Sequence, residues 1–411
     1  MQARGRGFES HFLHTSFLFP TTTKDFLVMV QIKFNVDDVL PQLNMVASVV
    51  NSKNVLPILN DVLVETFDDK EGGVGVMFTA SDSESWLSCK ASLLEGEIGT
   101  CLCFDIKNLK QALANLPGKE LTMVVDENAH TAKFSHKKGY FNLPYENGGD
   151  YPHPSTEQED EKSIIMPCAK MLEAIMMTSY ATANETLRPI MNGIHLDFTK
   201  DYMIAAATDG CKLSRYQDDD VHMELEDGEL KGFTFPQKPS QLLPSILAKV
   251  EGDIRLKFGT QMAIINNKDF KFVTRLLTFK YPPYERVIPP TSSIEFTINR
   301  GELIEALSRV IPLGNESSQF VCFHLESYKV LLSTENVEFS TSAMEEVDCD
   351  YMGEGLNIGF KGSFLMQTLK SLETERITIK MENESRCGVF YPVGDDETIH
   401  RLGLLLPMQI K

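Results

Sequence analysis

The side chains that most often carry chemistry are thinly spread along this chain of 411 residues. Its eight cysteines lie far apart, and the one close pair, Cys101 and Cys103, has no histidine or second cysteine pair nearby in the sequence. Because a zinc site normally shows two such pairs at a defined spacing, we expect reduced thiols, no metal site and no cofactor. The run Asp218–Asp220 could hold a divalent cation, but a solvated acidic loop is the better interpretation. Asp209 before Gly210 is typical of a turn, not of a catalytic carboxylate.

The sequence contains none of the motifs that commonly assemble a reaction centre. It has no phosphate-binding G-x-x-x-x-G-K-[ST] loop, no G-x-G-x-x-G after a strand, no H-E-x-x-H and no G-x-S-x-G. The nine histidines are dispersed along the chain. We therefore predict that the protein is not an enzyme. Two alternatives stay open: an α+β enzyme with an unrecognised site at a repeat interface, and a structural scaffold with no nucleic-acid role.

Composition and charge narrow the class of protein further. With 42% apolar and 24% charged residues, the chain is typical of a globular protein. No run approaches the ~18 apolar residues that span a membrane. The scattered cysteines are typical of reduced cytosolic thiols, so we expect a cytoplasmic location. The 39 basic residues are outnumbered by 58 acidic ones, which gives a net charge of −19. That balance argues against a protein that grips nucleic acid with its whole surface, because phosphate contacts come from lysine and arginine.

From Met29 onward the sequence repeats itself three times. In each repeat a short apolar strand leads into a segment with helical periodicity, and these strands centre, 131 residues apart, on Phe34, Ile165 and Phe296. A second strand that leads into a helix follows in each repeat, at Phe104, Phe235 and Phe360. An alternating strand follows each second helix, at Leu121–Val125, Ile254–Phe258 and Ile377–Met381.

The repeats predict an α+β fold of three tandem domains, each with two helices packed on antiparallel sheets. We expect these domains at residues 29–155, 156–290 and 291–411. Residues 1–28 show no sustained period and are expected to form a disordered extension. The second helical segment of each repeat carries a net charge of +2 in this acidic chain, at 105–119, 236–249 and 361–371. Such segregation suits a basic face for DNA, although exposed lysines usually serve solubility.

Several motifs, in order along the chain, resemble those of the bacterial DNA polymerase III beta subunit family, the bacterial DNA sliding clamps. Asn54–Asn60 is similar to the family's L-P-I-L signature after the first helix. Arg188–Gly193 and Ala207–Leu213 resemble its R-x-x-x-N-G and T-D-G-H-R-L segments. Tyr281–Pro289 resembles F-P-D-Y-x-R-V-x-P, and Leu404–Lys411 resembles the V-V-M-P-M-R-L terminus. The resemblance runs from residue 29 to the end.

The resemblance implies a head-to-tail homodimer, a ring of six domains that encircles duplex DNA. Such a ring would tether the replicative polymerase as a processivity factor in DNA replication. An ATP-driven clamp loader would place it on DNA, and translesion and repair proteins would bind it through linear peptide motifs. Lys107–Leu109 would meet the partner's Arg300–Leu313 region, where Pro312 interrupts the helix. The protein would be cytoplasmic and associated with the nucleoid.

The resemblance also implies two sets of functional residues. A peptide-binding cleft between the second and third domains would use Arg188, Met191, Thr208, Gly210, Lys212, Leu213, Pro282, Arg286, Val287, Leu404, Leu405, Leu406, Pro407 and Met408. For half of the residues from 404 to 408, burial in a last strand is the alternative. Peptide preference would differ from other members, because the usual family residues are replaced by Cys211, Lys212 and Gln409. Mildly basic DNA-facing positions would be Lys53, Lys107, Lys238 and Arg309.

Overall fold

The structure, a computed structural model, describes residues 31–51, 54–69, 73–155, 158, 161–199, 201–221, 224–225 and 232–410. The expected extension at 1–28 and Lys53 lie outside these residues. The described chain forms three successive units with the same order of elements. Each unit begins with a strand that runs straight into a helix, and a second strand–helix pair follows near its middle. The predicted repeat of two helices on antiparallel sheets is therefore confirmed.

The units contain the following elements. The first has helices α1 Val36–Val46 and α2 Ile106–Ala114, with strands β1 Gln31–Asn35, β2 Asp61–Asp69, β3 Gly73–Ser81, β4 Ser85–Ser92, β5 Glu95–Gly96, β6 Cys101–Asp105, β7 Glu120–Asp126, β8 Thr131–His136, β9 Gly139–Pro144 and β10 Glu146–Asn147. The second has helices α3 Cys168–Thr178 and α4 Gln237–Leu247, with strands β11 Lys162–Pro167, β12 Gly193–Phe198, β13 Met203–Thr208, β14 Lys212–Asp218, β15 Glu224–Leu225, β16 Phe233–Pro236, β17 Asp253–Phe258, β18 Met262–Asn266 and β19 Phe270–Arg275. The third has helices α5 Arg300–Val310 and α6 Gly362–Ser371, with strands β20 Ile294–Asn299, β21 Phe320–Glu326, β22 Lys329–Asn336, β23 Thr341–Asp350, β24 Leu356–Lys361, β25 Arg376–Met381, β26 Gly388–Pro392 and β27 Ile399–Leu405.

Five of the six helices in the described ranges follow either a residue whose side chain caps the first turn or a proline. Three of these residues, Asn35, Asp105 and Asn299, accept an N–H two or three residues on through their side chains. Two others, Pro167 and Pro236, precede α3 and α4 with φ already near the helical value. Every helix starts before the apolar period that marked it in the sequence, because its first turn is partly polar or proline-flanked.

Two sheets run across the boundaries between units. At the first joint, β4 pairs antiparallel with β19, and Trp86 lies opposite Val273. At the second joint, β14 pairs antiparallel with β27, and Leu213 lies opposite Leu404. The sequence did not predict either pairing, because contacts between strands nearly 190 residues apart leave no local pattern.

The helices contribute to the second joint as well, where α3 contacts α6. In the third unit α5 ends at Val310, and a 3₁₀ turn at Ile311–Leu313 follows. The predicted interruption at Pro312 is thus confirmed. None of the helices in the described ranges is long and apolar enough to cross a membrane.

Candidate functional site

The second joint has a hydrophobic cluster of its own, separate from the main core. Its buried members are Ala183, Ile190, Met191, Ile204, Ala206, Leu213, Tyr281, Tyr284, Cys387, Val389, Leu402 and Leu404. Three predicted cleft residues, Met191, Leu213 and Leu404, belong to it and are at most 4% exposed. Residues from two units and from the segment that links them therefore converge on one apolar floor.

The turn between β13 and β14 forms a polar edge of this floor. The backbone N–H of Thr208 donates to the Tyr281 hydroxyl at 3.1 Å, and the Thr208 hydroxyl donates to the Lys212 carbonyl at 2.7 Å. The Asp209 carboxylate accepts two backbone N–H groups of the turn, at 2.8 Å each. Gly210 has a left-handed φ of +89°, which few other residues adopt without strain. Asp209 is therefore a turn residue, as the sequence predicted.

Two cations lie at this edge in different environments. Lys212 is 6% exposed, and its Nζ lies 2.7 Å from Asp209 Oδ2 and 4.2 Å from the centroid of the Phe364 ring in α6. Its contact with the Phe364 ring therefore joins the second unit to the third. Arg188 keeps 53% of its side chain exposed, and its Nε donates to Glu185 Oε1 at 2.7 Å. Of the two cations, Arg188 is the one that a ligand can reach.

The cleft residues predicted near the end of the chain lie in two different environments. Successive side chains of a strand point to opposite faces. Leu404 therefore joins the cluster of the second joint, whereas Leu405, at 1% exposure, joins the main core. The placement of Leu405 in the cleft was wrong. Leu406 is 48% exposed, Pro407 and Met408 are half-buried, and the Met408 N–H donates to a carbonyl of β24 at 2.8 Å.

The segment that links the second unit to the third supplies the remaining wall. Pro282 is half-buried, while Arg286 and Val287 are exposed. The sequence reasoning missed the two tyrosines of this segment, Tyr281 and Tyr284, which are buried in the cluster. Burial raises the pKa of Tyr284 to about 12, so its hydroxyl stays protonated at neutral pH. The aromatic residues that flank two prolines in this segment were the signal that could have identified them.

This arrangement suits recognition rather than catalysis. An apolar floor is bordered by the exposed Val287 and Leu406 and by the reachable Arg188. Such a surface can take an extended segment that carries apolar side chains. Across the described ranges, no three histidine, cysteine, aspartate or glutamate side chains are arranged to hold a metal ion.

Comparison with known families shows to which family the chain belongs. The family models of the DNA polymerase III beta subunit match in order: the N-terminal domain at residues 30–155, the central domain at 157–283 and the C-terminal domain at 285–408. The chain belongs to the DNA polymerase III beta subunit family. This family is a non-catalytic processivity factor, which confirms the prediction that the chain is not an enzyme.

Individual members of the beta subunit family resemble the chain over most of its length. The beta sliding clamp of Pseudomonas putida is 26% identical over 374 residues, which cover 90% of this chain and 97% of that protein. The beta sliding clamp of Staphylococcus aureus is 25% identical over 402 residues, 93% of this chain and 100% of that protein. A solved sliding clamp from Pseudomonas aeruginosa, bound to griselimycin, superposes with a TM-score of 0.85 at 23% identity, covering 93% of this chain and all of that one. The Thermotoga maritima beta subunit has a TM-score of 0.82 at 20% identity, with the same coverage.

The cations expected to face DNA in this beta subunit have unequal surroundings. Lys107 is exposed on α2. Lys238 instead points across the first joint, where its ammonium contacts Asp82, Asn51 Oδ1 at 2.6 Å and the Val49 carbonyl at 3.1 Å. Its placement as a free DNA-facing lysine is corrected, because these contacts engage the ammonium.

Arg309 and the acidic run also depart from the expectation. Arg309 donates to Glu345 Oε2 at 2.9 Å, so it is an ion-paired residue at the surface. Asp218 is fully buried, with Lys170 Nζ at 2.7 Å, and is therefore not part of a solvated loop. Asp219 and Asp220 are exposed as expected. A run of three identical residues gives no sequence pattern that would reveal this difference.

Proposed function

We propose that the chain is a DNA sliding clamp: two copies close into a ring around duplex DNA and tether the replicative polymerase. An ATP-driven clamp loader would open and place the ring, in the cytoplasm and at the nucleoid. Its three domains would occupy residues 29–155, 156–290 and 291–411. The observation that carries the proposal concerns the strand pairing between units. This pairing occurs at two boundaries within the described chain, and the strand of the first unit that would form a third such pair, β9, has no partner there.

Equivalent ladders of paired residues lead to each joint. The ladder to the first joint runs Ser163, Lys257, Ile264, Val273, Trp86. The ladder to the second runs Glu295, Lys380, Val389, Leu404, Leu213. In the first unit the same ladder runs only Gln31, Val124, Lys133, Asn142. It stops at β9, the last strand of its sheet in the described chain.

The strand that would complete the third ladder is identified by its hairpin. In each unit the strand at the joint is the second strand of a hairpin. Four residues separate the two members of the pair that closes the hairpin turn, and these pairs are Ser81–Trp86, Thr208–Leu213 and Asn336–Thr341. Thr341 in β23 is therefore the counterpart of Trp86 and Leu213. We expect β9 of one copy to pair with β23 of its partner, with Asn142 opposite Thr341.

The chemistry of these two edges supports that register. Continuing it brings Lys138 opposite Glu345 of the partner subunit, and Lys137 opposite the partner's Glu346. Tyr140, at the same edge, is 65% exposed in the single chain. Opposite charges on facing strands stabilise pairing, and covering an exposed aromatic ring removes apolar surface from water.

Helix packing supports the same closure. Because α3 contacts α6 across the second joint, α5 would contact the partner's α2 across the third. This brings Arg300–Leu313 near the partner's Lys107–Leu109, as the family resemblance implied. Two such contacts close a ring of six domains and leave none of the three joints open.

A closed ring explains how so acidic a chain can serve DNA. Retention by closure needs no tight phosphate contact, so a few exposed lysines on or beside the second helices suffice: Lys107, Lys249 and Lys370. Weak, sequence-blind contacts of this kind also permit sliding.

The cleft at the second joint is proposed to bind linear peptides from the polymerase, the clamp loader and the translesion and repair proteins. Leucine or phenylalanine anchors would lie on the floor formed by Met191, Leu213 and Leu404. Arg188 would orient the peptide. Solved clamps from Pseudomonas aeruginosa and Bartonella birtlesii are bound to griselimycin, which fits a clamp that offers ligand-binding surface.

The decisive experiment measures retention on DNA of different topology. After loading by the cognate ATP-driven loader, we expect the protein to remain on nicked circular DNA and to leave when the circle is linearised. Sedimentation should give a dimer of about twice the chain mass of 46.2 kDa. Equal retention on linear and circular DNA, or a monomer at micromolar concentration, would refute the proposal.

A further inference from the structure

The first joint contains a cleft at the position that corresponds to the proposed peptide cleft of the second. It has a volume of about 320 Å³ and is lined chiefly by Trp86, Pro152, His153, Gln158, Met262 and Arg275. The cleft lies between the first and second units, where nothing in the proposed function places a partner.

The floors of the two clefts are built from equivalent residues. At the first joint Trp86, Ile264 and Val273 share a ladder and, with Met262, form a separate buried cluster. The equivalent ladder at the second joint joins Leu213, Val389 and Leu404, which belong to the cluster of that joint. Each joint therefore has its own small apolar floor outside the main core.

The turn at the edge of each cleft is also equivalent. The Asp82 carboxylate accepts the backbone N–H groups of Glu84 and Ser85 at 3.0 and 2.7 Å, as Asp209 accepts those of its own turn. This repeats the Asx turn at the other joint.

The linking segments correspond too. A Tyr-Pro pair precedes each cleft, at Tyr151-Pro152 and Tyr281-Pro282. At the first joint the Trp86 indole N–H donates to the Pro152 carbonyl at 2.9 Å, which holds the segment against the floor.

The two clefts differ at one position of the rim. Thr274 lies opposite Ser85 and Leu405 lies opposite Lys212, so Arg275 corresponds to the exposed Leu406. Arg275 is exposed, and no hydrogen bond or ion pair engages its guanidinium within the described ranges. The adjacent Glu84 is exposed, and its backbone carbonyl accepts the Arg275 backbone N–H at 2.9 Å.

Two further charged or titratable residues of the described ranges lie near this rim, Asp82 and His153. Asp82 is 5% exposed and bound to Lys238, so its carboxylate does not compete for Arg275. His153 lines the cleft beside the arginine. The cleft thus offers a tryptophan and methionine floor, with Arg275 at the rim position where the second joint has the aliphatic Leu406.

We propose that the first joint binds a second class of linear segment, an extended acidic peptide of a partner protein. One apolar side chain of this peptide packs on Trp86 and Met262, and a carboxylate pairs with Arg275. The choice of a peptide as ligand rests on the proposed function of the second joint. The two clefts would then let one clamp hold two partner segments at the same time.

Trp86 is the only tryptophan in the chain, so its fluorescence reports on this cleft alone. The probe is the acetylated, amidated peptide Glu-Glu-Leu-Glu-Glu, with Lys-Lys-Leu-Lys-Lys as its charge-reversed control. We expect the acidic probe to change the Trp86 emission saturably and the basic probe to leave it unchanged. Arg275→Glu should raise the Kd of the acidic probe at least tenfold, while Arg286→Glu at the second joint should leave it unchanged.

Further measurements separate this inference from the proposed function. The response should persist in Met408→Asp, which alters the second cleft only; its loss there would overturn the inference. So would an absent response at millimolar probe, or an Arg275→Glu Kd equal to that of the parent. Retention of Arg275→Glu on circular DNA serves as the test of folding. If the protein is retained on circular DNA and Trp86 does not respond to the probe, the inference fails and the clamp function stands. If Trp86 responds and the protein is not retained, the clamp function alone is refuted.

Discussion

Replacing Lys238 by methionine removes the ammonium that ties α4 to the first unit and keeps much of the side-chain volume. In the structure this ammonium contacts Asp82, Asn51 and the Val49 carbonyl. The side chain of Asp82 is only 5% exposed, while that of Lys238 is 39% exposed. The substitution therefore leaves a buried carboxylate with backbone N–H donors but without its counter-ion.

The magnitude follows from these exposures. Breaking a fully buried pair by removing one partner costs about 3–5 kcal/mol, whereas exposed pairs contribute roughly 0–1 kcal/mol. Because more than a third of the lysine is exposed and the Asp82 turn keeps its hydrogen bonds, we expect a loss of about 1–2 kcal/mol. For units of this size the loss corresponds to a fall of roughly 4–7 °C in the unfolding midpoint.

Calorimetry and salt-dependent DNA loading distinguish this role from a phosphate contact. The matched control is Lys107→Met, which changes the exposed lysine at the same second position of its own helix, α2. We expect Lys238→Met to lower the midpoint of the first transition and to leave the salt dependence of loading unchanged. A normal midpoint, together with a slope of log affinity against log salt reduced by about 0.9, would mean that Lys238 contacts DNA and that our reasoning is wrong.

Three further predictions concern the cleft, the ring and the half-buried Asp61. Met408→Asp should abolish binding of a polymerase-tail peptide in a titration while the dimer persists, whereas Leu405→Asp should lower the unfolding midpoint because its side chain is 1% exposed; equal effects of the two would contradict the assigned faces. Lys137→Glu should weaken dimerisation about tenfold in sedimentation, and adding Glu346→Lys should restore it; absence of rescue would reject the proposed register. Burial, with two nearby carboxylates, raises the pKa of Asp61 from 3.8 to about 6. The stability that Asp61 contributes is present below the unfolded pKa and is lost as pH rises through the folded pKa. The Asp61→Asn variant should therefore be nearly as stable as the parent at pH 4. At pH 8 it should be more stable by about 1–2 kcal/mol, a value already reduced because the side chain is half-exposed. Equal gains at both pH values would show that charge is not the cause.

Much of the candidate site could be predicted from the sequence. The turn at Asp209 and Gly210 has the conformation that its residue types favour, and Leu213 and Leu404 lie where the motif order placed them. Leu405 could not be assigned correctly in the same way. In a run of three leucines every position is apolar, so the pattern does not reveal which side chain points to the cleft and which to the core.

The charged residues show the same limit more clearly. Lys107 and Lys238 hold the same position in their helices, and both read as exposed basic residues in the sequence. Only the first joint distinguishes them, because it brings Asp82, 156 residues away in the chain, against Lys238. A lysine's partner is set by tertiary distance, and no local pattern encodes that distance.

The sequence by itself determined the threefold repeat, the two helices of each unit and the family. These follow from apolar periodicity and from motif order, which are properties of neighbouring residues. The tertiary structure alone decided the two joints, the edge strand β9, the side of β23 that is unpaired before Cys349 in the described chain, and the cleft beside Trp86. Each of these depends on strands far apart in the chain meeting in a fixed register, and that register is set by the packing of whole domains.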